Sequence, residues 1–199
     1  MRTTSALTII LSLLIAVTSA APTLLKHCEK VAGPGELSSR HVFSGGYIDN
    51  YHFHISNKHQ ENGHGLLTAS KNETSQKFEF FSCEPPSDNF KQSTGTKGTE
   101  PHAYGVVRSA KNNDQCLTIV RDSQLVTKGD AVMALAPCSK TANGLEKQWF
   151  QIRGDVVDYV GKKGDTELQS TYELADGVVG IQATYTRGKG LNFGYMKLN

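Results

Sequence analysis

Cys116-Leu117-Thr118-Ile119-Val120, a turn at Lys128-Gly129-Asp130, the run Ala131-Val132-Met133-Ala134-Leu135-Ala136-Pro137-Cys138 and the segment Lys147-Gln148-Trp149-Phe150-Gln151-Ile152 decide the fold. Two apolar runs of strand length flank a glycine turn, and the chain's only tryptophan follows. Such a unit leaves one apolar side uncovered and asks for companions elsewhere in the chain.

Two weaker copies are read. Upstream, Gly65-Leu66-Leu67-Thr68-Ala69-Ser70 is set against Gln115 to Val120, and Phe78-Glu79-Phe80-Phe81-Ser82-Cys83 against Met133 to Cys138. Downstream, Glu167-Leu168-Gln169-Ser170 precedes Asp176 to Tyr185, and Asn192-Phe193 takes the place of the tryptophan segment. The spacing of Cys83, Cys138 and Tyr185 gives units of about 47 to 55 residues. Within them the apolar period is two: Tyr51, Phe53 and Ile55 face one side, His52 and His54 the other. The near-continuous apolar run 131–136 reads as a strand near the centre of a barrel. No apolar stripe at helical spacing stands out after residue 20.

The middle unit resembles one repeat of the ricin-B-type β-trefoil, a family of mostly carbohydrate-binding modules. The resemblance covers residues 47–199 and is strongest over 104–152. It implies an all-β fold in which three pseudo-repeats close one shared core, with Leu67, Leu117, Leu168 and Trp149 in it. Within that frame Cys116–Cys138 ties two strands of one repeat, and Cys28–Cys83 pins the N-terminal segment to the first repeat. It is the natural one of three possible pairings. Loop closure gives about 3 and about 4 kcal/mol for the two bridges.

Residues 1–20 read as a secretory signal peptide: Arg2, the apolar run Leu7 to Val17, then Thr18-Ser19-Ala20. Residues 21–46 read as a lead-in, with 47–199 as the domain. No later apolar run reaches the length of a membrane span. A secreted, extracellular protein without an anchor is expected, and four cysteines suit an oxidising compartment. The formal charge of +2 comes from scattered Lys and Arg, which argues against nucleic acid. A monomer is expected.

Sugar recognition in the family uses a carboxylate, an aromatic platform and an amide. In the middle unit those places hold Thr118, Ala136 and Glu146-Lys147, so galactose is not expected there in the usual way. The third unit offers Gln169 and Ala183. The first has Thr68 in the carboxylate slot but keeps Phe81 as a platform beside Glu79, the chosen ligand-binding pair. The family's Gln-x-Trp ending is only partly matched, because Lys147 stands in the glutamine place. His52 and His54, with His59 and His64 nearby, are read as solvent-facing; neither they nor the cysteines predict a metal.

Asn72-Glu73-Thr74 is a glycosylation sequon. Asp155, Asp158 and Asp165 read as turn residues. No hydrolase elbow or zinc-protease motif occurs, so neither catalysis nor a cofactor is expected. The function expected is a degenerate carbohydrate-binding protein for a glycan or glycoprotein. Alternatives are a trefoil protease inhibitor or protein-binding effector, acting through the proline-bounded loop 85–101, and a structural or wall-associated protein.

Overall fold

The computed structural model describes residues 25, 27–43, 46–48, 51–73, 76–92, 102–184 and 191–199, without the side chains of 40–48 and 102. The leader at 1–20, residues 93–101 of the long loop, Thr74 of the sequon and Tyr185 lie outside the described residues. The strands are β1 (Glu29–Phe43), β2 (Gly46–Ile48), β3 (His52–Glu61), β4 (His64–Ser70), β5 (Lys77–Ser82), β6 (His102–Ser109) and β7 (Gln115–Val120). They continue as β8 (Ala131–Pro137), β9 (Phe150–Arg153), β10 (Val156–Tyr159), β11 (Ser170–Glu173), β12 (Val179–Gln182) and β13 (Asn192–Leu198). The protein is all-β. Its only described α-helix is α1 (Ala142–Glu146), a single turn capped by the Thr141 hydroxyl, which accepts from Gly144 N–H.

Every strand pairing is antiparallel, and six of them close a ring. β1 pairs β5, β5 pairs β6, β6 pairs β9, β9 pairs β10, β10 pairs β13, and β13 returns to β1. Closure removes the exposed edges that an open sheet would have to protect. The remaining long strands form three hairpins, β3–β4, β7–β8 and β11–β12. Their second strands meet: Leu66 pairs Ala134, Gly180 pairs Val132, and Thr68 bridges Val178 just before β12. In the first hairpin Asn62 and Gly63 have φ of 51° and 77°, the left-handed pair of a two-residue turn.

Alternation along the ring strands explains the core. Phe78 and Phe80 of β5, Val107 of β6, Phe150 of β9, Val157 and Tyr159 of β10 and Met196 of β13 are buried in one cluster. Phe53, Leu67, Leu117, Ile119, Leu168 and Ile181 come to the same cluster from the hairpin side. Thus Leu67, Leu117 and Leu168 share one environment, each fully buried. Tyr51 and Ile55 pack against it, as the period-two reading of β3 requires.

Three features depart from the sequence reading. First, residues 29–43, read as a lead-in, form β1, a ring strand paired with β5, β13 and β3. Register shifts between Lys30 and Ala32 and between Ala32 and Gly35 let the Gly33-Pro34-Gly35 segment stay in the strand. Second, the upstream repeat is aligned one strand out. β7 is the first strand of its hairpin, whereas 65–70 lies in the second strand of the β3–β4 hairpin, and 78–83 falls on the ring strand β5 and the residue after it. Third, β8 is outside the ring. Its apolar run has Ala131 and Met133 in the main core and Val132 and Ala134 in a second cluster with Leu66 and Val178. Burial on both faces, rather than a barrel position, explains its composition.

A satellite core lies under the segment after β5. Trp149, fully buried, packs edge-on to Phe90 at 5.2 Å, with Leu145, Val106 and Val160 around them. Both disulfides line this cluster, Cys28 with Cys83 and Cys116 with Cys138. Gln148, beside Trp149, is buried and ties three segments together. Its amide donates to Thr118 Oγ1 at 2.8 Å and Pro137 O at 3.0 Å, and accepts from Ser139 N–H at 2.8 Å.

Candidate functional site

The outward face of β6, β9 and β10 carries a polar constellation. Tyr104 pairs Gln151, and Gln151 pairs Asp158, so three side chains stand in line across three ring strands. The alternating partners Ile152 and Val157 are in the core, which forces Gln151 and Asp158 to the other face. That face is not open to water at Asp158, whose side chain is 0% exposed. Its Oδ2 accepts from Arg153 Nε at 3.2 Å, Arg153 Nη2 at 2.5 Å and Gln151 Nε2 at 3.2 Å. Its Oδ1 is buried with no described hydrogen-bond partner.

Burial pushes the Asp158 carboxyl up from its ordinary value, against the pull of Arg153. Burial also works to lower Arg153, but its hydrogen bond and charge interaction with Asp158 leave it raised overall. The carboxylate therefore fixes the guanidinium in place, while Arg153 itself remains partly exposed.

Beside this pair, Glu167 is held by Lys91 Nζ at 2.8 Å on Oε1 and by Gln169 Nε2 at 3.2 Å on Oε2. The Lys91 hydrogen bond is the first cause that holds its carboxyl below the usual range. Glu167 is thus kept as an ionised acceptor rather than a proton donor. Tyr104, half-buried, is raised by burial and next by the Glu167 charge, with Arg153 opposing. Those couplings put Tyr104, Arg153, Asp158, Glu167 and Lys91 in one electrostatic neighbourhood. Lys91 and Tyr104 also line a cleft of about 360 Å³ whose other walls include Val31, Pro85 and Gln92.

The backbone under Lys91 is anchored. Its carbonyl accepts from Trp149 Nε1 at 2.9 Å, Phe90 bridges Lys162, and Lys163 N–H donates to Asn89 O at 2.7 Å. A carboxylate, a side-chain amide and a lysine therefore meet on a supported surface, with the Tyr104 ring and the Arg153 guanidinium within reach of the same charge field. This is the kind of chemistry that grips a polyhydroxylated ligand: acceptor and donor for hydroxyls, ring for an apolar face.

Phe81 and Glu79 do stand together, two residues apart on β5 and opposite the buried Phe78 and Phe80. They are covered. The Arg108 guanidinium lies 4.4 Å from the Phe81 ring centroid, and Lys30 Nζ is 3.2 Å from Glu79 Oε1, a carboxylate only 12% exposed. Thr68 is used internally, its hydroxyl 2.9 Å from His54 Nε2. His54 Nε2 also meets Glu73 at 2.7 Å, and His52 Nδ1 meets Glu36 at 3.1 Å. Among the described residues no group of three or more His, Cys, Asp or Glu could hold a metal ion.

Asn72 is exposed in the turn after β4. Asp155 lies in the β9–β10 turn, and Asp165 accepts from Lys162 N–H in a turn. Asp158, read as a turn residue, is a buried strand residue instead. The missed signal is local: Gln151 and Arg153 alternate with Phe150 and Ile152, and Asp158 sits between Val157 and Tyr159. No described helix is long and apolar enough to cross a membrane. Comparison with protein-family models, with curated proteins and with solved structures finds no match for the chain.

Proposed function

We propose that this protein is a secreted β-trefoil of the ricin-B-like kind that binds carbohydrate without acting on it chemically. The closed six-strand ring and the three hairpins whose second strands meet support the trefoil reading. Two disulfides fit an extracellular setting. The observation that carries the binding reading is the Lys91–Glu167–Gln169 hydrogen-bonded group beside the Arg153–Asp158 pair, with the Tyr104 ring within its electrostatic field. It supplies the three elements that the middle unit lacks, drawn from separate segments rather than from one repeat. Galactose repeats in the middle unit are degenerate, so the ligand is a glycan read by this surface rather than by the repeat hairpins.

A glycan array on the secreted protein, followed by calorimetry with the best ligand, tests this. Binding is expected to fall by about tenfold or more in Glu167→Gln, since hydrogen bonds to a charged group are worth about 1.5 to 3 kcal/mol. Tyr104→Ala loses the stacking surface and falls similarly. Phe81→Ala leaves affinity unchanged if the native fold is retained. A flat array, or binding untouched by Glu167→Gln and Tyr104→Ala, defeats the reading.

A further inference from the structure

Arg108 is the least explained charge among the described residues. It projects from β6 on the face away from Val107, where Glu79 is its neighbour on β5 and Cys116 its neighbour on β7. Its Nε is buried with no described hydrogen-bond partner, and the described ion pairs do not include it. Glu79, the carboxylate beside it in register, is taken by Lys30. Asp114 interacts with Arg108 only through its field, and burial lowers the guanidinium's pKa from its ordinary value despite that field. What holds the group is the Phe81 ring, stacked at 4.4 Å.

Arg108 also lines a cleft of about 480 Å³, the size of a small-molecule site. The walls are Leu25, Pro137 and Cys138 on the apolar side, Asn113 and Ser139 on the polar side, and a second cation, Lys140. They are firm. Cys138 is bonded to Cys116, Cys138 N–H donates to Asp114 O at 2.8 Å, and Asp114 N–H donates to Asn112 Oδ1 at 3.1 Å. Ser139 N–H is held by Gln148. Little ordering of that wall remains to oppose binding.

We infer that the Arg108 cleft is a second ligand site, one that takes the oxyanion of a small organic carboxylate or sulfate ester. The planar guanidinium, pre-set on Phe81, presents a fork that matches two oxygens, and Lys140 adds a point charge. The ligand's apolar body lies along Leu25, Pro137 and the disulfide. Asp114 limits the site to one anionic group, because a second negative charge would meet it. This site is separate from the Tyr104–Glu167 surface and does not depend on the carbohydrate reading.

The test is titration of the full secreted protein with benzoate, phenyl sulfate and inorganic sulfate, followed by amide chemical shifts and calorimetry. Saturable shifts at Asn113, Ser139 and Lys140 are expected with both aromatic anions, and benzoate against phenyl sulfate distinguishes the two head groups. Inorganic sulfate, lacking the apolar body, binds more weakly. Arg108→Lys keeps the charge but loses the fork, and weakens the preferred anion by about tenfold. Lys140→Ala, on the surface, weakens it by about threefold and keeps the assay informative if the Arg108 variant fails to fold. Absence of saturable shifts at millimolar anion overturns the proposal, as does binding that Arg108→Lys leaves intact in a folded variant.

Discussion

The Trp149 indole N–H donates to the Lys91 carbonyl at 2.9 Å, so the largest side chain of the satellite core also sets where Lys91 stands. Lys91 in turn holds Glu167. Core packing and the polar face are therefore one construction, and a change in the first is felt in the second.

Trp149→Phe keeps much of the buried ring area but leaves the Lys91 carbonyl without its donor. A loss of about 1 to 2 kcal/mol is expected in urea unfolding with disulfides intact. Affinity at the Tyr104–Glu167 surface drops as well. An unchanged unfolding midpoint together with unchanged binding would show that the indole bond positions nothing.

Gly105 faces the backbone of the neighbouring strand. A Cβ at Gly105 would run into the Phe81 carbonyl oxygen, which belongs to the chain and cannot swing away as a side chain does. Gly105→Ala should cost about 3 kcal/mol or more by forcing β5 and β6 apart. Thermal unfolding by circular dichroism reads this, and a melting point within a degree or two of wild type contradicts it.

The Arg153–Asp158 pair carries a pH signature. Burial raises the folded-state pKa of Asp158. An acid raised in this way costs stability as pH climbs from its unfolded value through its folded value. Arg153 restrains that loss in the wild type. Arg153→Met removes the restraint, so the variant should be about 3 kcal/mol less stable than wild type at pH 7. Near pH 4 the difference shrinks, because a protonated Asp158 needs no cation. Equal deficits at both pH values would rule out an uncompensated carboxylate as the cause.

Glu167 has the opposite sign. Its carboxyl is depressed, first by the Lys91 hydrogen bond, so its contribution is present above the ordinary glutamate pKa and is lost as pH falls through the lowered value. Lys91→Met should lower stability at neutral pH and flatten that acid-side loss, so that variant and wild type converge as pH falls. Denaturation midpoints between pH 3 and 7 report it, and a parallel downward shift at all pH values counts against it.

Much of the strand content was legible because it rests on period-two burial. Phe53 with its neighbours Tyr51 and Ile55, and Leu117 with Ile119, turn inward as their alternation requires. Leu67, Leu117 and Leu168 converge although they were placed by an alignment partly out of step. The slip has a physical origin. Both strands of a buried hairpin are apolar, so Leu66-Leu67-Thr68 looks like Cys116-Leu117-Thr118 whichever strand it occupies. β1 was hidden by Gly33-Pro34-Gly35, which resembles a loop until its partners are known; Gly35 is small because the Asn199 carbonyl comes against it. The polar face was illegible for another reason. Arg153 and Asp158 share one hairpin, but Lys91, Tyr104 and Glu167 come from separate segments that only the tertiary fold brings beside it.

The seam between β1 and β13 joins chain segments far apart in sequence: Asn199 Nδ2 donates to Ser38 Oγ across 161 residues, and Glu36 and Asn199 exchange backbone hydrogen bonds. A growing polypeptide cannot seal its barrel until β13 has been made. Clipping β13 would bare three hydrogen-bonding rims at once, on Leu37 to Arg40, on Val156 and on Ser170 to Tyr172, and invite a second molecule to supply the missing piece.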